Sequence, residues 1–152
     1  MNLGIDFLPE LDRRKTQAAV ESVLDNYRVA KYLAYEEKEA STTQSYADFV
    51  PSPTNVTSDQ TAKIAIHNVD IQKQRRMYCE RIERAVSRLH PKERLLITER
   101  YMKEDFNGEY VKDYQVYNFK FNPPISKDTY TKIRWKAFYK LALILDIAVP
   151  KS

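Results

Sequence analysis

The chain has 152 residues, 43% of them apolar and 30% charged, a balance that suits one core-bearing domain with an appendage in water. Its only glycines are Gly4 and Gly108 and its only cysteine is Cys79. That excludes glycine-rich phosphate loops and dinucleotide folds, disfavours a hairpin-rich all-β protein and leaves no partner for an intrachain disulfide. The net charge of +4 is uneven: residues 1–58 carry six Lys/Arg against nine Asp/Glu, residues 59–152 nineteen against twelve, and the part from 110 onward eight against three, so the C-terminal end is the part suited to a polyanion.

The beginning, "MNLGIDFLPELDRRK", has no apolar core of the kind a secretory signal needs. The run "LALIL" is cut short by Asp146 and cannot span a bilayer. With one cysteine, these features set the expectation of a cytoplasmic, all-α protein without a membrane partner. The expected organisation is an N-terminal helical segment over 1–40, a linker over 41–58 and a helical domain over 59–150.

The spacing predicts a first helix over 12–39, with Asp12 as its cap and Val20, Val23, Leu24, Tyr27, Ala30 and Ala34 on one side. Such a stripe needs a cover, which is either the rest of the chain or a second copy in a homodimer. Ser, Thr, Pro and Asn then dominate to residue 58, where Tyr46 and Phe49 are the only large docking side chains. A second helix is expected over 59–89, with Ser58 as N-cap and Ile64, Val69, Ile71, Tyr78, Ile82, Ala85, Val86 and Leu89 as its stripe. Its six basic residues from Lys73 to Arg88 read as a solvated face or as an auxiliary phosphate-contacting strip.

His90 and Pro91 break that helix, and Pro91 suits the first turn of a third, which buries Leu95, Leu96 and Tyr101. The stretch "YVKDYQVYNFKF" (110–121) fits a strand by its alternation, or a short helix over 112–119 that buries Val116 and Phe119. Asn122, Pro123 and Pro124 end it. A last helix starts at the N-cap Ser126 and runs to Leu145. At 100° per residue Tyr130, Ile133, Ala137, Leu141 and Ile144 share its apolar side, with Phe138 and Leu145 flanking. Asp128, Thr131, Lys132, Trp135, Tyr139 and Lys136 fall on or beside the opposite side. An outward Trp135 between Lys132 and Lys136 fits a helix entering a major groove, where basic side chains neutralise phosphates. It also fits a Trp that packs on the N-terminal helix or on a dimer mate. A short helix, a turn and a capped basic helix make the layout of a helix-turn-helix.

The run "AVSRLHPKERLLITERYM" resembles the start of region 4 of bacterial sigma factors. With "NVDIQK", "DYQVYNF" and "ISKDTYTKIRWKAFYKLALIL", it makes roughly residues 60–147 similar to the ArpU family of phage transcriptional regulators. The resemblance implies that 112–119 is helical and that a C-terminal sigma region 4-like helix-turn-helix domain follows the long N-terminal helices read from the spacing above; residues 1–58 lie outside the match. It implies a regulator of phage or prophage late genes in a bacterial host, which binds double-stranded promoter DNA and contacts RNA polymerase. By position it also implies Lys127, Asp128, Thr131, Lys132, Trp135 and Lys136 as DNA contacts and Lys112 as a phosphate contact. The chain departs from the pattern at "FNPPIS", where the turn usually carries a glycine.

No catalytic chemistry is expected. His67, His90 and Cys79 lack zinc spacing, Glu104, Asp105 and Glu109 lack the ligand alternation of a calcium loop, and no serine sits in a nucleophile motif. The expectation is therefore a sequence-specific DNA-binding transcription activator that needs neither metal nor other cofactor. The alternatives from other classes are a DNA-packaging component such as a small terminase subunit, and a helical protein-interaction module.

Overall fold

A computed structural model describes residues 7–44, 59–104 and 108–152. The expected cap Ser58, the docking candidates Tyr46 and Phe49, most of the linker, and Asp105 lie outside the described residues. The elements are α1 (Arg13–Gln44), α2 (Asp59–Ser87), α3 (Pro91–Ile97) continued by a π-helical turn (Thr98–Met102), α4 (Asp113–Gln115) continued by a second π-helical turn (Val116–Lys120), and α5 (Lys127–Ile144). The described residues are thus mostly helical and hold no strand beyond two isolated pairings, Leu11 with Pro150 and Glu104 with Tyr110. None of their helices is long and apolar enough to cross a membrane.

The caps explain where helices begin. The Asp12 carboxylate accepts from the Lys15 amide at 2.9 Å, and the Ser126 hydroxyl accepts from the Thr129 amide at 3.1 Å, each satisfying a first-turn donor that has no partner inside its helix. Pro91 opens α3 and His90 caps it. α1 runs past residue 39 to Gln44, into the start of the expected linker.

The chain divides into two compact units, Met1–Arg28 with Ile82–Ser152, and Val29–Arg81. The core of the first is built from Val20, Leu24 and Tyr27 of α1, Ile82, Val86 and Leu89 at the end of α2, Leu96 and Ile97 of α3, and Tyr130, Ala137, Phe138 and Leu141 of α5. α3 packs on α5. The Tyr101 and Phe138 rings lie 5.6 Å apart, and Lys140 donates to both oxygens of the buried Glu93 at 2.9 and 3.0 Å. Arg28 donates to the carbonyls of Arg100 and Tyr101 at 2.6 and 2.5 Å, serving acceptors that the end of a helix leaves open. Its guanidinium lies over the Tyr110 ring, and burial lowers its pKa.

In the second unit Arg75 is ion-paired with Glu37, which joins α2 to α1. Cys79 is the one buried side chain described there. Ile64 and Val69, expected in the stripe of α2, are exposed instead. So are Phe119 and Ile144, expected inside, while Phe121 and Ala142 are buried. The π-helical turn over Val116–Lys120 holds more residues than an α-turn, which rotates Phe119 outward and brings Phe121 in.

Candidate nucleic-acid interface

The site is the exposed face of α5 together with what holds α5 in place. Residues 113–120 are helical, so the strand reading of 110–121 does not hold. Val116 is fully buried beneath this short element. The turn that follows is fixed by backbone bonds, from the Phe121 amide to the Val116 carbonyl at 3.2 Å and from the Ile125 amide to the Tyr117 carbonyl at 3.1 Å. It contains a cis Asn122–Pro123 bond, in place of the glycine that the resemblance would have supplied. The Tyr117 and Tyr130 rings, 5.4 Å apart, pack one side of the turn against α5.

Asp113 is the junction. Its Oδ1 accepts from the Tyr130 hydroxyl at 2.6 Å and from Arg100 Nε at 2.8 Å, and its Oδ2 accepts from Arg134 at 3.2 Å. One carboxylate therefore ties α4 to α5 and to the π-helical turn after α3. Charge-assisted bonds of this kind are the strong ones. Burial, and then the bond to Asp113, push the Tyr130 hydroxyl far above the ordinary tyrosine pKa, so Tyr130 stays a proton donor to that carboxylate. Reading the sequence alone did not find this network. The signal was Arg134, which falls at the edge of the apolar arc of α5, where a buried cation demands an anion.

The residues expected to contact DNA lie as follows. Lys127, Asp128, Lys132 and Lys136 are exposed on α5, and Lys112 is exposed at the start of α4. Thr131 is half-buried and its hydroxyl donates back to the Lys127 carbonyl at 3.0 Å. Trp135 is half-buried as well. It meets Tyr139 edge-on at 6.1 Å and lies under the guanidinium of Arg13, 5.0 Å from its ring centre. Tyr139 in turn donates to the Pro9 carbonyl at 2.7 Å. The start of α1 thus sits on the α5 face at the level of Trp135, and the face towards Ser126 stays open.

The two sides of α5 treat charge differently. Arg134 and Lys140 are held by Asp113 and Glu93. Among the described residues, no carboxylate is ion-paired with Lys127, Lys132 or Lys136. What remains is a positive face on a helix held from behind by Asp113 and Glu93. Among the described residues, no three His, Cys, Asp or Glu side chains gather as a metal ion would require. No family model, curated protein or solved structure matches the chain.

Proposed function

We propose that the protein is a sequence-specific DNA-binding activator of phage or prophage late genes, of the ArpU kind, acting in the cytoplasm of a bacterial host. α4, its turn and α5 serve as a helix-turn-helix. The observation that carries this reading is the open face of α5, where Lys127, Lys132 and Lys136 have no carboxylate partner among the described residues while Asp113 locks the helix from behind. The N-terminal half of α5 enters the major groove, Asp128 and Thr131 face base edges, and the lysines with Lys112 neutralise phosphates. Contact with host RNA polymerase through a sigma-like surface is part of the same proposal and rests on the resemblance alone. The test is binding of the full chain and of Lys132→Ala to promoter DNA. Loss of specific binding with unchanged helicity supports the reading, and wild-type affinity in the variant overturns the assigned face.

A second reading, self-association or protein docking, is favoured by the exposed Val29, Tyr32, Tyr35, Ile66, Val69 and Met77 in the second unit. A homodimer through this region would be compatible with an activator on a two-fold site. A ring of many copies would instead fit a small terminase subunit. Light-scattering mass separates these outcomes.

A further inference from the structure

The start of α1 carries "RRK", residues 13–15, and its first turn has no acidic side chain. That is the reverse of what stabilises a helix start, where carboxylates are favoured and cations are not. Arg13 and Arg14 are exposed, and among the described residues neither is ion-paired with a carboxylate. Of the nearby acids, Asp12 caps the helix, Glu10 is with Lys151 at 3.9 Å, and Glu21, which lines the same hollow as Arg13 and Arg14, accepts from Gln17 at 3.2 Å.

The position of this basic pair is fixed. The Asp12 amide donates to the Val149 carbonyl at 2.7 Å and the Lys151 amide to the Glu10 carbonyl at 3.1 Å. Tyr139 holds Pro9, and Trp135 seats the Arg13 guanidinium. A guanidinium lying over an aromatic ring keeps its N–H edges available to acceptors. At a rise of about 1.5 Å per residue, Trp135 stands ~12 Å along α5 from Lys127, farther than the roughly 8.5 Å depth of a major groove. A helix that enters the groove by its first turns therefore leaves Arg13 at the level of the backbone.

We propose that Arg13 and Arg14 form a second phosphate-contacting element, which grips the DNA backbone beside the groove that α5 enters. This rests on the DNA-binding reading above and adds to it a clamp built from the opposite end of the chain. The clamp is blind to sequence, because it meets only the backbone.

The test uses the full-length chain and a random-sequence duplex, with affinity followed by anisotropy over a series of potassium chloride concentrations. Each phosphate contact contributes about 0.9 to the slope of log affinity against log salt. The double variant Arg13→Gln with Arg14→Gln is expected to lower that slope by about two. Arg14→Gln alone, which leaves the Arg13–Trp135 contact in place, is expected to lower it by about one. Unchanged slopes in both, with Lys132→Gln still lowering the slope, overturn the clamp and leave the reading of α5 standing. A wild-type chain that binds no duplex at low salt overturns both.

Discussion

The two compact units share two helices and one pattern, yet they differ in what the pattern achieves. In Met1–Arg28 with Ile82–Ser152, Val20 and Leu24 of α1, Ile82 of α2, Leu96 of α3 and Phe138 of α5 are almost wholly enclosed. In Val29–Arg81 the same two helices continue with apolar residues at helical spacing, but Tyr32, Tyr35, Ile66 and Val69 stay more than half exposed. An amphipathic stripe states which side of a helix prefers cover; a third and fourth element must supply that cover. Ion pairs occur in both: carboxylates pin Arg100, Arg134 and Lys140 in the first unit, and Glu37 holds Arg75 in the second.

The comparison makes graded predictions. Phe138→Ala, in the centre of the enclosed unit, is expected to lower unfolding free energy by about 4 kcal/mol through the cavity it leaves, as read by urea denaturation; a loss below about 1 kcal/mol would mean that this core is loosely packed. Asp113→Ala is expected to cost about 2 kcal/mol, because it leaves Tyr130, Arg100 and Arg134 without their shared acceptor. On the proposed reading it should also loosen α5 and so weaken DNA binding.

Alkaline pH gives a gentler test of the same core. Burial pushes the Tyr101 hydroxyl up to about 12 from an ordinary value of 10.0, and burial with the Asp113 bond raises Tyr130 as well. Both groups hold their protons more tightly when folded, so the stability they contribute is complete below pH ~10. It falls as pH rises from 10 towards 12, and Tyr101→Phe should flatten that fall. The smallest effect belongs to the second unit. Ile66→Ser should change the stability of the isolated chain by no more than about 0.5 kcal/mol. If it instead dissociates a dimer in light scattering, a second copy supplies the cover that this unit lacks.

Local features of the sequence were legible where the cause is local. Asp12, His90 with Pro91, and Ser126 mark helix starts because a cap needs only its own first turn. The open face of α5 followed from periodicity. Exposure of Ile64, Val69, Phe119 and Ile144 did not, because periodicity reports direction and not whether another element arrives there. Phe119 was further misplaced by a π-helical turn, which breaks the 100° count. The Asp113 junction was hidden because it joins residues far apart in the chain, and only the fold brings them together. The choice between an outward and a packed Trp135 was left open by the sequence, and the structure gives a half-buried ring beneath Arg13.

The most direct test of the central claim is fluorescence anisotropy of the full chain with duplex DNA from upstream of the genes adjoining its own, against a scrambled duplex, across a salt series. The account predicts a preference for the upstream duplex of about a thousandfold or more, with affinity for both duplexes falling steeply as salt rises. Equal affinity for the two duplexes at every salt concentration, or no binding even at low salt, would contradict it.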